Sequence, residues 1–273
     1  MSAGYLGTDV LREISFAIDA PAIYVVLGPN GAGKTTLFRT LAGVLTPSHG
    51  TVRIGGVRAD DPGARRRLHY LSHLDGMPEG LTVREALEVY ARLERADRAS
   101  VDRVLDLLGL RELSDRFLAR LSAGQRKRVS VARIFLVERP IYLLDEPTAN
   151  LDPKVAHEIR SLILELARDK IVLYSSHNLF EAREIGRYVL ALRSGRLERF
   201  GRIEDLRGRR FVIGVRVLEP SDALRDWEQE GEYFTRELSG PEAVPALLRD
   251  LDSRGVKVRE LREMNNPLED LFA

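Results

Sequence analysis

The sequence predicts an α/β protein: a largely parallel, buried sheet with helices between its strands, followed by a small α+β domain. Three observations predict it. Short apolar runs at Ile23–Leu27, Ile141–Leu144 and Ile171–Ser175 read as strands buried on both faces. Helical segments, Lys34–Val44 and Pro153–Asp169, lie between them. After a basic, glycine-containing linker, Arg207-Gly208-Arg209-Arg210, the order changes to strand, strand, helix, strand.

The elements follow in order. Residues 11–27 alternate apolar and polar and then become continuously apolar, which suits an outer strand followed by a buried one. Gly28–Gly33 breaks that strand before the first helix. Thr51–Ile54 with Gly55-Gly56 reads as a strand and hairpin turn. Residues 82–120 are mostly helical; Thr82 caps the first of these helices, with Glu85 completing a capping box, and Ser100 caps the next. Beyond the linker come strands at Phe211–Val217 and Tyr233–Leu238, a helix at Pro241–Ser253, a strand at Val256–Leu261 and a short terminal helix. The expected division is residues 1–206 and 207–273, with a helical subdomain at about 74–135.

Bulk composition excludes several classes. The chain has 273 residues, 44% hydrophobic and 30% charged, which reads as globular. Basic and acidic residues number 42 and 41, so no global field points to nucleic acid or an anionic surface. There are no cysteines, which removes disulfides, thiolate zinc sites and cysteine nucleophiles and fits a reducing, cytoplasmic setting. No apolar run approaches the roughly 18–20 residues of a membrane span, and the N-terminus lacks a secretory pattern. Any membrane role is therefore expected through a partner chain.

Gly28-Pro29-Asn30-Gly31-Ala32-Gly33-Lys34-Thr35 matches the full phosphate-loop pattern, and Thr36 follows it. It sits between a buried strand and a helix. Glycines let backbone N–H groups converge on phosphate oxygens, and the helix N-terminus adds partial positive charge. Lys34 is expected to reach the β- and γ-phosphates, and the Thr35 hydroxyl to ligate Mg²⁺. Alone, the loop says only that a nucleoside triphosphate binds. The second motif is an apolar strand, Ile141–Leu144, ending in Asp145 and Glu146. Asp145 is placed to serve the Mg²⁺, and Glu146 to polarise a water attacking the γ-phosphate.

Leu121-Ser122-Ala123-Gly124-Gln125, just before the carboxylate strand, narrows the reading. With Asp145-Glu146-Pro147-Thr148-Ala149-Asn150-Leu151-Asp152, it resembles the ABC ATPase family across about residues 3–205. The resemblance implies a RecA-like mixed-sheet core with an N-terminal antiparallel β part and a helical signature subdomain. It implies that ATP and Mg²⁺ are bound, and that two subunits, a homodimer or a heterodimer with a related ATPase, sandwich two ATPs head to tail. Leu121–Gln125 would then act in trans, with Ser122, the Gly124 backbone and the following helix N-terminus on the γ-phosphate. Asp152 would cross the interface. His177 matches the family's switch histidine, and Tyr5 the aromatic that stacks on adenine. The implied partner is a transmembrane permease on the inner face of the cell membrane.

Two positions depart from the family. Ala123 stands where glycine is usual, and His73 where a Mg²⁺-linked glutamine is usual. Imidazole is a poorer Mg²⁺ ligand than an amide oxygen, so altered Mg²⁺ dependence or pH-sensitive coupling is expected. The ending Asn266-Pro267-Leu268-Glu269-Asp270-Leu271-Phe272 resembles ATPases of ABC-2 type exporters. The leading reading is an exporter's energising subunit. The alternative is a soluble ABC-type ATPase acting on nucleic acid or ribosomes. No long coiled coil between Lys34 and Asp145 and no second cassette support the alternative, and no nucleic-acid partner is expected.

Overall fold

The computed structural model describes residues 1–73, 76–206, 211–219, 221–264, 268 and 271. The linker Arg207–Arg210 and most of the tail from residue 265 lie outside the described residues, and so does the expected terminal helix. Two compact units are present, Met1–Gly201 and Arg202–Ala273.

The first unit begins with an antiparallel pair, β1 (Ala3–Tyr5) and β2 (Thr8–Leu11). The expected outer strand beginning at Leu11 therefore ends there instead. Residues 12–21 form no strand, because Glu13 adopts φ 56° and turns the backbone out of the extended region. Then β3 (Ala22–Leu27) enters the core with all six residues buried. Its β-branched and aromatic side chains suit a strand covered on both faces. After α1 (Lys34–Leu41) comes a hairpin, β4 (Arg53–Ile54) and β5 (Val57–Arg58), turning at the expected Gly55-Gly56. A short α2 (Pro62–Arg65) precedes β6 (Leu68–Leu71).

The helical segment holds α3 (Val83–Glu94), α4 (Ala99–Leu107) and α5 (Ala123–Ala132). Thr82 caps α3, with Glu85 closing the capping box as its spacing requires. Ser100 does not cap α4. The helix starts one residue earlier, the Asp97 carboxylate accepts the Ala99 N–H at 3.3 Å, and Ser100 is buried inside the first turn. The core resumes with β7 (Ile141–Asp145), α6 (Pro153–Leu166), β8 (Ile171–Ser175), α7 (Leu179–Ile185), β9 (Tyr188–Arg193) and β10 (Arg196–Arg202).

These strands make one six-stranded sheet in the order β10-β9-β3-β8-β7-β6. The pairs β9/β3, β3/β8, β8/β7 and β7/β6 are parallel. The register aligns Val26 with Ser175 and Ser175 with Asp145, and Leu71 with Leu144. Strand ends on four neighbours therefore open at one edge, the place where open parallel sheets bind ligands.

In the second unit, β11 (Phe211–Val217), β12 (Glu228–Glu230), β13 (Tyr233–Leu238), α8 (Val244–Ser253) and β14 (Val258–Glu263) follow. The sheet order is β12-β13-β11-β14, all antiparallel. Leu247 and Leu251 of α8 cover Ile213 and Val215, making a separate small core.

Candidate nucleotide-binding site

The loop after β3 has the shape its glycines require. Gly31 and Gly33 take φ 81° and 102°, a region that costs other residues. A Cβ on Gly28 would stand 2.5 Å from the Leu192 carbonyl oxygen, and one on Gly33 2.7 Å from Leu11 Cδ2. Pro29, Asn30 and Gly31 form the exposed crest, while Ala32 is buried beneath it. Gly33 precedes the first residue of α1 with no side-chain cap, so the helix N–H groups are left open to an anion. Lys34 curls back, its Nζ donating to the Gly28 and Pro29 carbonyls at 2.6 and 3.3 Å. Burial lowers its pKa, against the pull of Glu146 and Asp145. Thr35 is partly accessible, and Thr36 is turned into the core.

At the end of β7, Asp145 is 1% exposed. The Ser175 hydroxyl donates to its Oδ1 at 2.6 Å and accepts the Glu146 N–H at 2.9 Å. Asp145 Oδ2 has no hydrogen-bond partner, and His73 Nδ1 stands 3.6 Å from it. Glu146 takes φ 50°, an uncommon backbone for a non-glycine residue and of a kind that clusters at functional sites. Its Oε1 lies 3.5 Å from His177 Nδ1. The structure thus brings Asp145, Glu146, His73 and His177 to one end of the sheet. A buried carboxylate oxygen lacking any donor fits a divalent cation, with Thr35 as a hydroxyl ligand. Among the described residues no group of three or more His, Asp or Glu could hold a metal alone, so nucleotide phosphates would complete the shell.

The remaining predicted residues are placed as follows. Tyr5 is 40% exposed on β1, and its hydroxyl accepts from Arg39 of α1 at 3.1 Å. Ser122 caps α5, with Gln125 completing a capping box at 3.0 and 3.2 Å. Leu121 is buried beneath it; Ser122 and Ala123 are exposed. Gly124 borders the loop before α6, where an added Cβ would meet Leu151 at 3.7 Å. Asp152 caps α6 through the Val155 N–H at 3.1 Å. The carboxylate expected to cross an interface thus has a local helix-end role in a single chain.

Sequence reasoning missed a buried hub. Glu181 on α7 accepts from Thr148 and Tyr174 at 2.6 and 2.8 Å on Oε1, and from Ser176 at 2.6 Å on Oε2. Arg160 of α6 approaches Oε1 at 3.4 Å. Burial, with the Glu181 charge, raises the Tyr174 pKa well above its usual value. The hub therefore joins the segment after Glu146 to the segment carrying His177. The available signal was a glutamate four residues after His177, one helical turn beyond the Asn178 cap.

A model of the ABC transporter family matches residues 11–149. The chain belongs to that family. The Nod factor export ATP-binding protein I of Rhizobium johnstonii is 33% identical over 296 residues, spanning 100% of this chain and 91% of the relative. A solved ATP-binding subunit of an ABC transporter is 30% identical with TM-score 0.70, over 76% of this chain and 89% of that one. A bacterial ABC transporter cassette solved as a dimer is 25% identical with TM-score 0.67, over 74% and 95%. As an ABC transporter ATP-binding protein, the chain binds and hydrolyses ATP. No helix among the described residues is long and apolar enough to cross a membrane.

Proposed function

We propose that the chain is the energising subunit of an ABC exporter, docked on a transmembrane permease at the inner face of the cell membrane. The export role rests on the Nod factor export relative, which matches the whole chain. The single observation that carries the catalytic part is the convergence of Glu146 and His177, 3.5 Å apart, beside the buried Asp145.

ATP lies with its phosphates in the loop Gly28–Thr35. Backbone N–H groups and the α1 N-terminus hold the β-phosphate, and Lys34 leaves the Gly28 carbonyl to reach the γ-phosphate. Tyr5 stacks on adenine, its ring set by the Arg39 bond. Thr35 and Asp145 are the residues that would hold Mg²⁺, which when bound would supply positive charge against that developing on the phosphates. Glu146 orients the attacking water and takes its proton. His177 hydrogen-bonds the γ-phosphate and keeps Glu146 facing it. Ser122, the Gly124 backbone and the start of α5 close the site from a second subunit, and Asp152 lies at that interface. Hydrolysis removes the anion that both halves hold, so the dimer opens.

The decisive test is Glu146→Gln with saturating Mg-ATP. A stable, ATP-containing dimer by size exclusion and light scattering is the expected result. A variant that binds ATP yet stays monomeric at all concentrations overturns the sandwich. Co-purification of the native complex with a multi-span membrane protein tests the exporter part.

A further inference from the structure

We propose that the first unit holds a second binding site, an apolar cleft toward the strand starts of the large sheet, and that its ligand is a single-chain amphiphile with an anionic head, of the long-chain carboxylate class.

The cleft has a volume of about 520 Å³. Protein interiors rarely leave gaps much larger than one water molecule, about 30 Å³, whereas small-molecule sites occupy about 300–1,000 Å³. Its floor is one face of the sheet. Ile141 of β7 is in register with Ile171 of β8, and Leu143 with Leu173, and all four line the cleft. Alternate residues of a strand share a side, so these four lie together. Two residues further along the same strands stand Asp145 and Ser175, the last residues of β7 and β8. The cleft therefore sits toward the strand starts, and the nucleotide groups sit at the strand ends.

The sequence explains the cover. Residues 12–21 alternate apolar and polar yet form no strand. Ile14, Phe16 and Ile18, the large apolar members of that alternation, all line the cleft. Phe16 and Ile18 pack against the core and still remain only partly buried. The alternation that predicts a strand serves the cleft wall instead. Val52 and Ile54, just before and within β4, add apolar wall from the hairpin side, and Leu41 at the end of α1 lines the cleft as well.

Charge selects the head group. Among the described residues lining the cleft, Arg53 carries the only charged side chain, and none is acidic. Arg53 is exposed, so it marks the rim. Its Nη1 donates to the Gly56 carbonyl across the hairpin turn at 3.0 Å, which holds the guanidinium in place with further N–H donors to offer. A guanidinium grips a carboxylate with two parallel hydrogen bonds, and the attached alkyl chain would enter the apolar part. A neutral ligand would leave Arg53 unused, and a cationic amphiphile would meet it with like charge.

The test uses the full chain and a fluorescent probe, dansylaminoundecanoic acid, below its micelle concentration. Its emission should rise and shift to the blue in a saturable, one-to-one titration. Dodecanoate should displace it, and dodecyltrimethylammonium should not. Arg53→Met should weaken dodecanoate binding at least about tenfold, the lower range for a hydrogen bond to a charged group, and leave dodecanol binding unchanged. Val52→Trp, which fills the cleft from the hairpin side, should abolish probe binding and keep ATP binding. Uptake of the probe without saturation, or displacement by dodecyltrimethylammonium as readily as by dodecanoate, overturns the site. Full probe binding in Val52→Trp overturns its location. Unchanged dodecanoate affinity in Arg53→Met overturns the head-group class, and that surface substitution decides the matter even where Val52→Trp fails to fold.

Discussion

The strand-end half of the site and the signature half are built by opposite means. Lys34, Asp145 and Ser175 are 8%, 1% and 0% exposed, and Lys34, Ser175 and Asp145 Oδ1 each have a partner inside the chain. Ser122 and Ala123 sit at the surface, and the capping box of α5 satisfies two N–H groups at the helix start. An α-helix begins with four such groups, so further donors point outward. The first half is an interior that holds its groups before any ligand arrives. The second is a pre-shaped surface, which in the proposed dimer an anion from the other subunit would complete. The difference teaches which half fails locally and which fails only in assembly.

Lys34→Ala gives the largest effect. It removes the only cationic side chain of the loop Gly28–Thr35, so kcat should drop about 10²–10³-fold, the magnitude for one charge-stabilising donor. The loss should be the same at every protein concentration. Ser122→Ala should act differently. ATP binding to the dilute chain should be unchanged, while the concentration-dependent part of the ATPase rate falls. Loss of the α5 cap adds about 1 kcal/mol of destabilisation. Equilibrium nucleotide binding and ATPase rate against protein concentration separate the two. If Ser122→Ala abolished nucleotide binding in the dilute chain, the contrast between halves would be wrong.

The two halves were not equally legible in the sequence. The phosphate loop and the β7 acids could be read because motif and strand coincide: a run of six buried residues leads straight into Gly28, and the buried residues Tyr142–Leu144 lead into Asp145. The Thr82 capping box was legible because its chemistry is local. The strand assignment for residues 12–21 failed because alternation in composition does not reveal that Glu13 turns out of the extended region. β6, β9 and β10 were not assigned, since their character comes from pairing with strands far along the chain. The Glu181 hub was hidden for the same reason. Thr148, Arg160, Tyr174 and Ser176 are scattered over 29 positions and meet only when β8, α6 and α7 fold together.

That hub is the interior half's extension toward His177, and it supplies a third test. Glu181→Ala leaves three hydroxyl groups and the Arg160 guanidinium without their shared acceptor. Removing one partner from a buried charged network costs about 3 kcal/mol. Glu181→Gln keeps an acceptor and should recover much of it. Urea unfolding measures both. If Glu181 positions His177, Glu181→Gln should lower kcat with little change in KM, and should add little in a His177→Ala background. Full additivity of the two changes would mean that the hub serves stability alone.

The smallest effect comes from Tyr70 of β6, whose hydroxyl is buried without a hydrogen-bond partner. Burial first, and then the Asp145 charge, push its pKa up to about 12, while Arg39 pulls the other way. Below pH 10 the phenol is protonated in both folded and unfolded chains, and its contribution does not vary. Between pH 10 and about 12 the unfolded phenol releases its proton and the folded one keeps it. The folded state then binds more protons, so stability falls as pH rises, by at most about 1.4 kcal/mol per pH unit. Tyr70→Phe removes this dependence and deletes an unpaired buried polar atom, so it should be near neutral at pH 8. At pH 11 it should be about 1 kcal/mol more stable than the wild type. Urea midpoints at both pH values decide it. Equal losses in the two proteins would mean that water reaches Tyr70, and that the interior half is wetter beside Asp145 than its burial implies.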